Sequence, residues 1–403
     1  MSKVIDWDEL EKDLSPFFCH TKGTPGKPIR LVSGLFMLQH CFDLSDENSL
    51  ENWLENPYWQ FFCGYDFLQW ELPIDPSSMS RWRKRLGVKG IEAILKATIR
   101  AAQITGIVKP SSFKRVIADT TVMEKNIAYP IDSRLYLRSL ETMVKIAKKR
   151  NIPLRQTYSR IGRRLARNYS RYAHARQMKR AQRELKKLKT ITGRVQREVI
   201  KWATQNQEEV LVRFFQRVEK ILNQKRADKN KIYSVHEPSV ECISKGKAHK
   251  KYEFGCKVSI VVTHKEGLVL SSIAQHGNPY DGHTLSEAIK NTEANTNTPV
   301  EMAFLDKGYR GHGMSTIKVW ITGMRKGVTS WLKKQIYRRQ ATEPRIGHMK
   351  SDGRLSRNFL KGKLGDQLNA ILCGVGENCR ILLRGIIPIA VNNFTFELRE
   401  NCR

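Results

Sequence analysis

The chain has 403 residues, with 71 Lys and Arg against 39 Asp and Glu and a formal net charge of +32 at pH 7. At 40% hydrophobic and 27% charged residues, it reads as a globular chain of two or three domains rather than a disordered one. The longest apolar runs, such as 385–391, fall far short of the roughly 18 residues a membrane helix needs. The start lacks the basic-then-apolar layout of a signal peptide, so a cytosolic protein with no membrane partner is expected. A pI near 10.0 points to a polyanion as partner, and nucleic acid is the commonest one.

The charge is uneven along the chain. Residues 1–110 carry a net −1, residues 131–230 a net +20, and the rest a net +13. Together with the pattern of elements, this asymmetry predicts an N-terminal helical domain over 1–108 and a basic helical insertion over 134–230. The insertion would interrupt a core made of 109–133 and 231–403.

In the N-terminal region the mostly apolar run from Ser33 to Asp43 predicts a helix, and Ser49 has the character of a cap opening another. Asp75 to Gly87 reads as a capped helix, with Pro76 in its first turn and Gly87 at its end. Over 77–86 it gathers Arg81, Arg83, Lys84 and Arg85, as a helix lying on DNA phosphates would. A solvated helix face is the alternative.

In the basic segment Leu185, Leu188, Ile191, Val195 and Val199 recur at helical spacing, with Arg and Lys filling the other positions. Tyr158, Tyr169, Tyr172, His174 and Trp202 interleave with the arginines. Solvated helix faces normally mix charge signs, whereas this excess is one-sided and reads as contact with a DNA backbone. Asp132, after Pro130, is placed to cap the first helix of this stretch.

Strand signals begin at Phe113. Arg115 to Ala118 is a short run ending at Asp119-Thr120-Thr121. From Tyr252 the pattern alternates: Phe254, Cys256, Val258, Ile260 and Val262 face one way, Glu253, Lys257, Ser259 and Thr263 the other. The turn Lys265-Glu266-Gly267 makes this a hairpin with 268–274. A further apolar run, Val300 to Leu305, ends at Asp306-Lys307-Gly308. Leu364, Leu368, Ile371, Leu372, Val375, Cys379, Leu382 and Leu383 form a helical stripe. Strands, a helical block, then strands and helices suggest a mixed sheet with one large insertion.

Asp119 and Asp306 share a local design: each closes an apolar strand and opens a turn-forming loop. Ligands collect beyond the carboxyl ends of such strands. Paired carboxylates repel, and a divalent cation resolves the repulsion. Glu343, in Tyr337-Arg338-Arg339-Gln340-Ala341-Thr342-Glu343-Pro344, is a third candidate, with Thr342 as helix cap. Lys350 follows seven residues later on the same helix face, so Lys350 and Arg339 are placed to reach phosphates. Pro344 argues against one uninterrupted helix from Arg339 to Lys350. Lys245, Lys247, His249, Lys250 and Lys251 read either as a phosphate clamp or as a solvated hairpin tip. Asp281 and His283 fit a turn between strand and helix better than metal ligation. The eight cysteines contain no C-x-x-C pair, so buried structural thiols are expected over metal ligation by Cys19-His20 or His40-Cys41.

Together these stretches resemble the bacterial insertion-sequence transposases with an Asp-Asp-Glu triad, in particular the insertion-sequence-five branch of the insertion-sequence-four-like superfamily. The carriers are Asp119-Thr120-Thr121, Asp306-Lys307-Gly308-Tyr309-Arg310-Gly311, and Arg339, Glu343 and Lys350 in R-(3)-E-(6)-K spacing. Tyr337 sits one residue nearer the Arg than the family's usual form. Tyr280-Asp281-Gly282-His283-Thr284, Lys245 to His249, Tyr252 to Gly255, and Leu360-Lys361-Gly362 with Gly365, Asp366 and Asn369 are also family-like. The resemblance runs from about Ser33 to about Leu383.

It implies an α/β fold: a ribonuclease-H-like, mixed five-stranded sheet with flanking helices. Asp119, Asp306 and Glu343 would be the catalytic metal ligands, holding two magnesium ions for which manganese could substitute. The implied activity is cleavage of double-stranded DNA at the element's terminal inverted repeats, then attack of the freed 3′-hydroxyl on target DNA. A homo-oligomer on DNA in the bacterial cytoplasm is implied as well. The alternatives are an inactive DNA-binding protein that kept the fold, or a magnesium-dependent endonuclease without strand transfer.

Overall fold

The computed structural model describes residues 1–18, 26–225, 227–244 and 250–401, with side chains described up to 386. Two compact units emerge: Met1–Lys125 with Gly255–Arg403, and Asn126–Phe254.

The first unit opens with helices α1 (Trp7–Leu14), α2 (Ile29–Cys41), α3 (Asp46–Glu55), α4 (Pro57–Phe62) and α5 (Pro76–Ile104). The cap of α3 is Ser45, whose side chain accepts from the Asn48 N–H at 3.0 Å. Ser49, the residue favoured from sequence, instead lies inside the helix and donates its hydroxyl to the Ser45 carbonyl. Asp75 caps α5 by accepting from the Ser77 N–H at 2.9 Å. Gly87, at φ +57°, breaks that helix into two where the sequence placed its end. Strand β1 (Arg115–Lys125) follows.

The second unit packs α6 (Asp132–Lys149), α7 (Ser159–His174), α8 (Met178–Gln205) and α9 (Glu209–Asn223), followed by the short strand β2 (Glu241–Ser244). Leu188, Ile191, Val195 and Val199 of α8 are buried with Leu140, Met143, Phe215 and Val218, so the periodic stripe is the core of this unit. Asp132 begins α6 in its first turn rather than capping it; Ile131 holds the cap position.

The chain then returns through β3 (Tyr252–Thr263), β4 (Val269–Gln275), α10 (Asp281–Thr296), β5 (Met302–Leu305) and β6 (Lys318–Ile321). After these come α11 (Ser330–Arg338), α12 (Thr342–Ser351), β7 (Arg357–Asn358) and α13 (Gly362–Asn401). The sheet has seven described strands rather than the five expected, in the order β2-β3-β1-β5-β6, with β4 pairing β3 and β7 pairing β1. Its β1–β3 and β3–β4 pairs are antiparallel, and its β1–β5 and β5–β6 pairs are parallel. This mixed α/β arrangement is consistent with a ribonuclease-H-like fold. Gly255 opposite Glu124 lets β1 and β3 close up, since a Cβ there would stand 1.9 Å from the Met123 carbonyl oxygen.

The alternation of β3 is real but does not separate core from solvent. Cys256, Val258, Ile260 and Val262 pack with Ile346, Met349 and Cys373, and Glu253, Lys257, Ser259 and Thr263 on the other face are buried too. Helices cover both faces of this sheet, so its polar residues must find partners inside. The stripe on α13 lines the core from Leu368 to Leu382, whereas Leu364 stays exposed. Cys41, Cys63, Cys256, Cys373 and Cys379 are buried free thiols. Burial raises the Cys41 thiol to about 11 and that of Cys63 to about 12. Cys19, His20 and Cys402 lie outside the described residues. No described helix is long and apolar enough to cross a membrane.

Candidate active site

Two parallel strands bring the aspartates together. Ile117 pairs with Phe304 in the β1–β5 register, so Asp119 on β1 and Asp306, just past the end of β5, each lie two residues beyond that pair. The strand carrying Asp119 does not end there, as its sequence suggested; β1 runs on to Lys125. It is β5 that stops, at Leu305, leaving Asp119 in mid-strand beside an open edge. Each aspartate is steered by its own next residue: Asp119 Oδ1 accepts from the Thr120 N–H and Asp306 Oδ1 from the Lys307 N–H, both at 2.7 Å.

Glu343 comes from the far side. Thr329 caps α11 through the Leu332 N–H, and a 3-10 turn over Arg339–Ala341 links α11 to α12. The helix is therefore broken before Pro344, as the sequence required. Thr342 is the first residue of α12 rather than its cap, with Ala341 in the cap position. Glu343 and Lys350 both sit on α12, two turns apart.

Arg339 occupies the centre. Its guanidinium is 3.6 Å from Asp119 Oδ2, 3.8 Å from Asp306 Oδ1 and 3.3 Å from Glu343 Oε1. Its side chain is 7% exposed, against 50% for Asp306 and 64% for Glu343. Arg339 is thus buried among the three carboxylates, a partnership the sequence reading did not include. Three carboxylates around one point would repel one another, and the guanidinium offsets that repulsion. Among the described residues no three acidic, His or Cys groups stand as a ready metal cage. The donor set nonetheless has the chemistry of a hard-cation site: carboxylate oxygens converging on a single positive charge.

The loop after Asp306 is held from below by residues the sequence did not single out for this role. Lys257, on the buried polar face of β3, donates to Asp281 Oδ1 at 2.9 Å and to the Pro279 carbonyl at 2.6 Å. Asp281 is thereby fixed against the turn at Gly308, where a Cβ would stand 3.0 Å from Asp281 Oδ2. Tyr280 donates its hydroxyl to the Arg310 carbonyl at 2.9 Å. Tyr309 is buried in this loop, its phenol driven well above its ordinary value by burial and by the Asp119 and Asp281 charges. His283 is exposed and packs edge-on against Tyr280.

At the far end of β1, Lys125 donates to Asp366 Oδ1 at 2.6 Å, with both side chains buried. Asn358 donates to the same oxygen at 2.7 Å. Burial pushes the Asp366 carboxyl up despite Lys125.

Of the cations proposed for phosphate, Arg81, Lys84 and Arg85 are exposed on α5. Arg83 is not: it is 3% exposed, donates to Asp46 Oδ2 at 2.9 Å and to Gln39 Oε1 at 3.0 Å, and ties α5 to α2 and α3. Its position on the inner helix face explains the correction. Lys245, Lys247 and His249 lie outside the described residues.

Residues 1–85 match the family described as Transposase domain (DUF772), and residues 225–364 match the Transposase DDE domain. The second span holds Asp306, Arg339, Glu343 and Lys350; Asp119 falls between the two. A Rhizobium meliloti protein described as "Uncharacterized protein ORF8 in nfe locus" is 50% identical over 177 residues, 44% of this chain and 85% of that protein. No solved structure matches. The chain thus carries two transposase domains, and the match to the DDE domain spans the segment that holds Asp306 and Glu343.

Proposed function

We propose that this protein is a transposase of the insertion-sequence-five branch. It binds the terminal inverted repeats of its element and cuts and rejoins double-stranded DNA at Asp119, Asp306 and Glu343. The observation that carries the reading is the convergence of these three carboxylates on Arg339 from two adjacent parallel strands and a facing helix.

Magnesium ions, held by the same three residues, would activate the attacking oxygen and stabilise the leaving one in an in-line phosphoryl displacement. The chain's own part is positional. β1 fixes Asp119, the Lys257–Asp281 pair supports the loop of Asp306, and α12 presents Glu343 with Lys350 on the same face. Arg339 offsets the mutual repulsion of the three carboxylates. Assembly of several copies on the two element ends belongs to the same reading.

The test incubates purified protein with DNA carrying the flanking inverted repeats and a target plasmid, with and without Mg²⁺, and maps nicks and joined products. Metal-dependent nicks at the repeat ends followed by joining are expected. Nicking without joining would reduce the protein to an endonuclease, and binding with no nicking in Mg²⁺ or Mn²⁺ would overturn the reading.

A further inference from the structure

The basic helical unit presents its charge on a defined face. Helix α7 contains no Asp or Glu, and Arg160, Arg164, Arg167 and Arg171 recur at spacings of four, three and four residues. Such spacing aligns them in one row along the helix. All four are exposed, while Gly162 and Leu165 form the buried side. At about 1.5 Å per residue the row runs roughly 16 Å. The neighbouring Arg163 is engaged by Glu141 at 2.9 Å. Within the row, Arg164 lies near Glu184, which is itself bonded to Lys187 and Asn168.

The row ends in a cleft of about 290 Å³ lined by Asn168, Arg171, Tyr172, Ala175, Gln177 and Arg180. Two guanidinium groups, two amides and a phenol line it; no acidic residue lines it, although Asn168 donates to Glu184 at 3.3 Å, and Arg180 donates to Gln177 at 3.1 Å. Lys179, Arg183 and Lys186 extend the exposed cations along α8.

Like charges one turn apart destabilise a helix, so an unbalanced row is unfavourable until a counter-charge covers it. Four of its members are Arg, whose planar fork matches phosphate oxygens two at a time. The exposed face lacks the large apolar residues that would seat a helix in a lipid interface. A linear polyanion therefore fits better than a membrane or a single small anion.

We propose that the α7 arginine row and the Arg171–Arg180 cleft form the surface by which this unit holds the phosphates of double-stranded DNA. The proposal rests on the reading of DNA as the substrate and assigns the binding surface to named residues.

The test measures binding of the full-length chain to a fluorescent inverted-repeat duplex by anisotropy across a salt series. Three proteins are compared. One is the wild type, one carries Arg160→Gln, Arg164→Gln, Arg167→Gln and Arg171→Gln, and one carries Lys145→Gln, Lys148→Gln, Lys149→Gln and Lys220→Gln. The third removes the same charge from exposed positions of α6 and α9. The slope of log K against log salt should shrink by about 0.9 for each phosphate no longer neutralised. The arginine variant should lose roughly two to four such steps and the lysine variant about one or none. Equal losses in both, or an unchanged slope in the arginine variant, would overturn the surface and leave the transposase reading standing. A wild type that binds no DNA at any salt would overturn the transposase reading as well. Tighter binding to a duplex RNA of the same sequence would overturn the choice of DNA. Should the fourfold variant lose its helical circular dichroism, Arg171→Gln with Arg180→Gln tests the cleft alone, with a loss of roughly one to two steps expected and no loss contradicting it.

Discussion

Arg339 and Asp119 are partnered across the site, Nη1 to Oδ2 at 3.6 Å, and the same guanidinium reaches Glu343 at 3.3 Å. Because Arg339 is buried and the carboxylates flank it on three sides, it acts as an internal counter-ion. Arg339→Gln removes that charge and leaves the carboxylates to repel. Without divalent metal the variant should melt several degrees below the wild type, and millimolar Mg²⁺ should recover much of the loss, since a bound cation stabilises by mass action. Thermal melts with and without Mg²⁺ check this. An identical Mg²⁺ shift in both proteins would show that metal and guanidinium do not compete for the same oxygens.

The loop of Asp306 depends on support from β3. Lys257→Met removes the partner of Asp281 and frees the Gly308 turn it packs against. Partners behind a metal site typically matter 10- to 100-fold in metal affinity. The Mg²⁺ concentration for half-maximal nicking should rise by roughly 10-fold, with the saturating rate less affected. A lower saturating rate at an unchanged Mg²⁺ requirement would place Lys257 in some other role.

The buried pair of Lys125 and Asp366 sits at the other end of β1. Lys125→Met leaves a carboxylate buried without its cation, which typically costs about 3–5 kcal/mol. Replacing both, Lys125→Met with Asp366→Leu, should recover much of that loss. Urea unfolding at neutral pH measures both, and an additive double variant would contradict the coupling.

His40 supplies a pH dependence. It is fully buried in α2, and burial, with the nearby charges of Arg354 and Arg83, lowers its pKa from 6.5 to about 3. A depressed histidine favours the neutral form in the folded state. Its stabilising contribution is complete above pH 6.5 and is lost as the pH falls from 6.5 toward 3. The slope approaches about 1.4 kcal/mol per pH unit. The stability difference between wild type and His40→Gln should therefore shrink on acidification through this window. A difference constant from pH 7 to pH 4 would contradict it.

The sequence revealed most where local chemistry decided structure. Asp75, Pro76 and Gly87 set the start and break of α5, and the spacing of Leu188 to Val199 set the buried face of α8, because caps and periodicity act within a few residues. What depended on distant partners was not legible. Arg83 and Arg81 stand two residues apart in one basic cluster, and only the placement of α2 and α3 decides that Arg83 turns inward to Asp46. The pairing of Arg339 with the carboxylates was hidden because nothing local says that Asp119, 220 positions earlier, returns to its side. The continuation of β1 past Asp119 was hidden for a similar reason. Thr120 and Thr121 look like the start of a loop until both sheet faces are covered. Lys257 and Asp281 meet only through the fold.

Central to the proposed function is that Asp119, Asp306 and Glu343 act together on DNA with a divalent metal. The most direct measurement compares wild type and Asp119→Asn for Mg²⁺-dependent nicking of inverted-repeat DNA, with binding to the same duplex measured in parallel. Wild type should nick at the repeat ends only with metal, while Asp119→Asn binds with closely similar affinity and fails to cut. Cutting by Asp119→Asn at the wild-type rate would contradict the assignment.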